Sequence, residues 1–268
     1  MSAELEAALR FLARLDDAVA GERISLPFGT GVFDPARPLV WDANYVRAER
    51  ADLDAGSLTE LVEPLFAERE LAHRQAVVPG EAEGRALQPG FQALGWLPVH
   101  EQVMASARPP DPPRDGVEEV SFEELRGAVR AVEILEPPGG ASPAIASALA
   151  DQLASRDELV AAATSERRFV VRRAGVPVAW CRLYAGDGIG QIENVTTRPD
   201  HRNRGYGRSV VSAAAAASRE RGDALTFLVA LADDWPRELY RRLGFEPVGT
   251  LHRFRRVPDA QRASSVPS

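Results

Sequence analysis

The chain has 268 residues, 45% hydrophobic and 26% charged, with a formal net charge of −7. This is an ordinary balance for a globular protein of one large or two modest domains, and the negative charge argues against nucleic acid as the main partner. The single cysteine, Cys181, excludes an intrachain disulfide, and no apolar run reaches the length of a membrane span. The opening residues Met1 to Glu6 lack the basic start and apolar core of a signal peptide, so a cytoplasmic location is expected.

In chain order, Leu5, Leu9, Leu12 and Leu15 recur near helical spacing and predict a helix over 3–20. Leu58, Leu61, Val62, Leu65 and Phe66 form the stripe of a second helix, expected over 57–73. Pro109, Pro110, Pro112 and Pro113 mark a linker over 109–115, which divides the chain into domains at 1–108 and 116–256, with a polar tail over 257–268. Two helical arms are expected over 122–133 and 144–163. Strands over 168–173 and 176–183 flank Ala174-Gly175, a hairpin signal. A strand over 192–197 then runs into a basic turn, and the turn opens a helix over 209–217. An apolar run over 224–230 suits a buried strand; a helix over 235–243 follows, stopped by Gly244, and a last strand covers 248–255.

The basic turn carries the most chemistry. At a helix N-terminus several backbone N–H groups lack intrahelical partners, and the helix dipole adds partial positive charge. Gly205 and Gly207 allow close approach to a ligand, and Arg202, Arg204 and Arg208 add full charges, so the turn is a candidate phosphate or pyrophosphate cradle. It is not a P-loop, because no Gly-Lys-Ser/Thr follows, and it lacks the third glycine of the dinucleotide fingerprint. Taken alone, the same residues also describe a basic helix start with glycines for the turn.

The order strand, strand, strand, glycine turn, helix, strand, helix, strand narrows this. With Arg202-x-x-Gly205-x-Gly207 and Leu239-Tyr240-x-x-Leu243-Gly244-Phe245, the region 116–256 resembles the GNAT N-acetyltransferases. The resemblance implies an α/β fold with a central mixed β-sheet flanked by helices, and acetyl-CoA as the phosphate ligand. It further implies a cofactor surface of Val195, Thr196, Thr197, Arg202, Asn203, Arg204, Gly205, Tyr206, Gly207 and Arg208. A main-chain N–H near Val195 would meet the thioester carbonyl, and Tyr240 would be the general acid. Glu193 projects from the strand just ahead of the turn and is the candidate general base; a solvated strand glutamate is the competing reading. Asn194, on the other strand face, reads as structural, and Asp233 and Asp234 as helix-capping residues.

The first half reads as a worn copy of the second, which gives two GNAT-like domains in tandem. Asn44 in Trp41-Asp42-Ala43-Asn44 stands 150 positions before Asn194, and Ala76-Val77-Val78 precedes Thr226-Phe227-Leu228 by the same interval. Gly95, after Phe91 and Leu94, mirrors Gly244. Chance similarity between alternating α/β segments is the competing reading. The copy has lost the cradle: Glu49, Asp52 and Asp54 stand where the basic turn should be and would repel a pyrophosphate. Cofactor binding is therefore expected in the second half alone, with the first half shaping the acceptor pocket.

Cys181 lies in an expected strand and reads as a buried structural thiol, while His201 and His252 have no partners at ligand spacing, so no metal is expected. These residues suit an N-acetyltransferase acting on a small-molecule or peptide amine, as monomer or homodimer. A non-catalytic acyl-CoA-binding or regulatory module is the alternative, and a tandem domain serving oligomer assembly a third. The identity of the acceptor amine is not legible.

Overall fold

The computed structural model describes residues 2–50, 52–109, 112, 116–137 and 141–257. Most of the expected linker over 109–115, and the expected tail beyond Val257, lie outside the described residues. Among the described residues the elements are α1 (Ala3–Val19), β1 (Glu22–Leu26), β2 (Gly29–Phe33), β3 (Tyr45–Ala48), α2 (Ala55–Ala67), β4 (Arg74–Val78), α3 (Glu81–Ala93), β5 (Leu97–Ser106) and β6 (Val117–Val120). They continue with α4 (Phe122–Leu135), α5 (Pro143–Ala163), β7 (Ser165–Arg173), β8 (Val176–Gly186), β9 (Ile189–Thr197), α6 (Tyr206–Glu220), β10 (Leu225–Leu231), α7 (Pro236–Arg242) and β11 (Phe245–Arg256). Among the described residues no helix is long and apolar enough to cross a membrane.

Two compact units form, and they interleave along the sequence instead of dividing at 109–115. One comprises residues 1–12, 102–132 and 160–249; the other 13–101, 133–159 and 250–268. Each contains three successive antiparallel strands, then helix, strand, helix, which is the order read from the sequence. The last strand of each is contributed by the other half of the chain: the end of β11 lies with β4, and the end of β5 lies beside β10.

In the unit built mainly from the first half, β1, β2 and β3 are antiparallel neighbours, and β3 pairs β4 in parallel. The far end of β11 completes this sheet, antiparallel to β4 from His252↔Val78 to Arg256↔Arg74. Its core is aromatic: Phe91 stacks on Phe254 at 4.3 Å, and Phe33 meets Phe66 edge-on at 5.2 Å. The helix α2 stops at Ala67, well short of the expected 73, because Glu70 turns left-handed at φ 54 and the Leu71 N–H returns to the Phe66 carbonyl at 3.0 Å. The helix α3 hides in the sequence behind Gly84, Pro89 and Gly90. Gly84 is required there, since a Cβ would come within 2.3 Å of the His252 ring.

His73 in this unit gives a pH dependence. It is fully buried, stacked on Trp41 at 5.3 Å, with Nε2 3.0 Å from the Asn44 carbonyl, while Nδ1 has no hydrogen-bond partner among the described residues. Burial is the main cause that pushes its pKa down from 6.5 to about 4, with the Arg255 charge adding to it. As pH falls below 6.5 the unfolded chain takes up this proton before the folded one does. The stability is therefore present above pH 6.5 and lost on the way down to pH 4, by roughly 3 kcal/mol. Urea unfolding of this protein should show that loss, and His73→Gln, which keeps a donor for Asn44 but does not titrate, should remove it. An equal loss in both proteins would refute the assignment.

In the other unit, β6, β7, β8 and β9 run antiparallel in sequence order, and β9 pairs β10 in parallel. The helix α6 lays Val210, Val211, Ala214 and Ala215 on one sheet face, against Val171, Leu183 and Ile192. Cys181 lies buried on that face with its thiol donating to the Val210 carbonyl at 3.2 Å, and burial pushes its pKa up, as suits an inert structural thiol. On the opposite face α4 covers Val170 and Trp180 through Leu125, and the start of α1 covers Phe227 through Phe11, ring centroids 5.9 Å apart. Between these two apolar patches lies a polar strip.

Candidate functional site

The site begins where β9 parts from β10. The parallel ladder runs from Leu225↔Ile189 to Leu228↔Ile192 and then ends, so residues 193–197 keep ladder partners only in β8. The register with β8 also shifts, from Arg182↔Glu193 to Trp180↔Thr196, leaving Asn194 and Val195 opposite the single residue Cys181. This is a β-bulge, and Asn194 takes the left-handed φ of 52 that it requires. The bulge also overrides strict alternation: the Asn194 amide reaches the Tyr184 hydroxyl at 3.5 Å, on the face opposite α6, where the sequence reading had set it apart from Glu193. Asparagine tolerates this φ better than most residues.

Beyond Thr197 a short 3-10 turn, Pro199–His201, leads into the basic turn. Asn203 and Gly205 adopt φ of 61 and 85, and Gly205 is the N-cap of α6 without any side-chain cap bond. The first intrahelical bond there is Ser209 N–H to the Gly205 carbonyl at 3.1 Å, so the amides of Tyr206, Gly207 and Arg208 precede the helical ladder. A Cβ on Gly205 would meet nothing within 4 Å, whereas one on Gly207 would come within 3.2 Å of Thr197 Oγ1. The first glycine thus opens the turn outward, and the second lets helix and strand end pack closely. Arg202, Asn203 and Arg204 are exposed, with Arg202 donating to the Thr197 carbonyl at 3.3 Å and Arg204 to the Asp200 carbonyl at 3.2 Å. His201 pairs with Asp200 at 2.9 Å. Arg173, at the β7–β8 hairpin, lies 4.5 Å over the Tyr206 ring and donates to its hydroxyl at 3.0 Å. The sequence reading missed Arg173, because only the hairpin register carries it to the turn.

Tyr240 lies in the α6-side core, its ring 6.5 Å from Phe245, and its hydroxyl makes no hydrogen bond among the described residues. Burial first, then the nearby charge of Glu193, holds its pKa well above the ordinary tyrosine value. Glu193 is half-buried on the polar strip, where cross-strand register groups it with Arg182 and Arg168, next to Gln191, Tyr184 and Glu166. Arg168 pairs with Glu166, which lies 3.8 Å from Arg182. Gln191 donates from Nε2 to Glu193 Oε2 at 2.7 Å. Asp234 accepts the Trp235 N–H at 2.7 Å just before α7, while Trp235, 66% exposed, occupies the N-cap position itself. Among the described residues no three histidine, cysteine or acidic side chains come together as a metal site.

The first-half unit shows the same positions arranged differently. Its helix α2 is capped by Asp54, whose carboxylate accepts the Ser57 N–H at 2.8 Å. Val46 and Arg47, 150 positions before Thr196 and Thr197, pair in the ladder with Ala76 and Val77. Asn44, the counterpart of Asn194, is buried and uses its side chain to bind Asp34, Arg37 and Val40 backbone. The helix end is thus filled by the chain's own carboxylate, and the strand gap is closed.

A family model described as FR47-like protein matches residues 170–254. Among curated proteins none matches the sequence. Among solved structures, a GCN5-related N-acetyltransferase from Kribbella flavida is similar at TM-score 0.67 and 21% identity, covering 98% of each chain. One from Sphaerobacter thermophilus is similar at TM-score 0.58 and 20% identity, covering 94% of this chain and 85% of that one. A tandem GNAT protein from the clavulanic acid biosynthesis pathway is similar at TM-score 0.52 and 15% identity, over 84% of this chain and 76% of that one. The chain therefore has the fold of the GCN5-related N-acetyltransferases, and its second half carries the FR47-like segment within it.

Proposed function

We propose that the chain is an acetyl-CoA-dependent N-acetyltransferase acting on a primary amine of a small molecule or peptide, with its chemistry in the second half. The observation that carries this reading is the junction at 193–208, where an open strand edge leads directly into an uncapped, glycine-opened, arginine-rich helix end. Such a helix end suits a pyrophosphate, and the open edge beside it suits an extended amide-bearing arm. Arg202, Asn203, Arg204, Gly205, Tyr206, Gly207 and Arg208 would hold the phosphates, and Val195, Thr196 and Thr197 the pantetheine arm. The Asp54 cap and the closed ladder support the absence of a second such site in the first-half unit.

Bound acetyl-CoA supplies an acetyl group activated as a thioester. The residues must then polarise the carbonyl, free the amine lone pair and protonate the departing sulfur. The bulge supports the Val195 N–H as the carbonyl's donor. Glu193 takes a proton from the ammonium, directly or through water. Tyr240 gives its proton to the sulfur as the carbon–sulfur bond breaks. The two groups are coupled: neutralising Glu193 removes a charge that holds the Tyr240 proton on, so the phenol becomes a stronger acid when the thiolate forms.

The test is thiol release from acetyl-CoA with spermidine, tyramine, lysine, kanamycin and a short peptide. At least one amine should give turnover, and Glu193→Gln should lower it about a hundredfold at pH 7, with partial recovery at a pH where the amine is already neutral. Tight coenzyme A binding without turnover on any amine would favour the non-catalytic acyl-CoA-binding module instead.

A further inference from the structure

Gln191 is an unusual residue for its position. It lies in β9 only 4% exposed, with Tyr184 of β8 on one side and Phe227 of β10 on the other in the sheet register. Its Nε2 donates to Glu193 Oε2 at 2.7 Å, which fixes the amide orientation, because a carboxylate can only accept there. That orientation leaves Oε1 buried with no hydrogen-bond partner among the described residues. A buried acceptor without a donor is costly and rare. An apolar side chain of the same length would fill this place without that cost, so packing does not account for the amide.

We infer that Gln191 is the positioning residue of the base, an amide that turns over as Glu193 gains and loses its proton; this rests on the assignment of Glu193 above. With Glu193 ionised, the Nε2–H group donates to the carboxylate. When a proton passes from the ammonium nitrogen to Glu193, the new O–H needs an acceptor, which Nε2 is not. A half turn about the terminal side-chain torsion presents Oε1 instead. Since Oε1 has no other partner, that turn breaks no bond except the one being exchanged. Both protonation states of Glu193 are then hydrogen-bonded in one orientation of its carboxyl, and no covalent bond of Gln191 changes.

The test follows the Glu193 carboxyl by 13C NMR in protein labelled at glutamate Cδ, with coenzyme A bound. The signal is assigned by its absence in Glu193→Gln. In Gln191→Met, which keeps length and removes both amide functions, Glu193 should titrate at higher pH than in the parent protein, because a hydrogen bond to its charged form is lost. In Gln191→Glu the two carboxyls should share a proton and titrate in two steps. With an amine that turns over, Gln191→Met should lower kcat about tenfold and leave KM for acetyl-CoA unchanged. Superimposable Glu193 titrations in Gln191→Met and the parent would overturn the inference. A fully active Glu193→Gln would instead sink the base assignment while leaving the titration result intact, so the two failures are separable.

Discussion

Gly205→Asp is expected to abolish coenzyme A binding while leaving the fold in place. Gly205 caps α6 at φ 85 and ψ 0, and a side chain there points into open space. Aspartate is among the few residues that tolerate this backbone conformation, at a cost of about 1 kcal/mol, so the helix should survive. The carboxylate would lie among the amides of residues 206–208, where the pyrophosphate is proposed to sit. Two like charges about 4 Å apart in a partly enclosed site repel by about 4 kcal/mol, enough to weaken binding a hundredfold or more. Calorimetry with coenzyme A should show no binding, and the thermal midpoint should move by only a few degrees. Gly205→Asn separates charge from shape: similar in size and neutral, it should bind far better than the aspartate. Undiminished affinity in Gly205→Asp would remove the phosphate site from this turn.

Tyr240→Phe carries the second large effect. The ring is packed in the core with Leu243 and Phe245, and phenylalanine preserves that packing. The hydroxyl has no hydrogen-bond partner among the described residues, so its removal leaves no buried group unpaired, and stability should hold. If the phenol protonates the leaving sulfur, kcat should fall by about a hundredfold, with coenzyme A affinity unchanged. Burial, reinforced by Glu193, keeps the phenol protonated beyond the ordinary tyrosine range, so the parent enzyme should show no loss of kcat from Tyr240 ionisation up to pH 9. A phenylalanine variant turning over at the parent rate would assign the proton to another donor.

The first-half unit makes the same argument from the opposite direction. Its helix α2 resembles α6 in place and order, yet Asp54 supplies from within what a phosphate would supply from outside. The expectation that acidic residues exclude a ligand there rested on repulsion. The structure adds direct occupation of the helix end, and the closure of the strand gap by Val46 and Arg47.

Local chemistry was fully written in the sequence. The glycine turn, the Ala174-Gly175 hairpin with φ of 49 and 79, the helix stop at Gly244 with φ 90 and the apolar stripes of α1, α4 and α5 depend on residues a few positions apart. Backbone propensity and periodicity act over that range, and so they were legible. Three features were decided only by tertiary structure. The exchange of the β5 and β11 ends is one, because strand pairing is made by backbone groups common to all residues, and nothing in 102–106 or 250–256 names a partner edge. The bulge at Asn194 is another, since it exists only as a register shift against β8. The third is the environment of Gln191, Glu193 and Tyr240: a side chain's protonation depends on burial and on neighbours brought from distant strands, and linear spacing does not encode that.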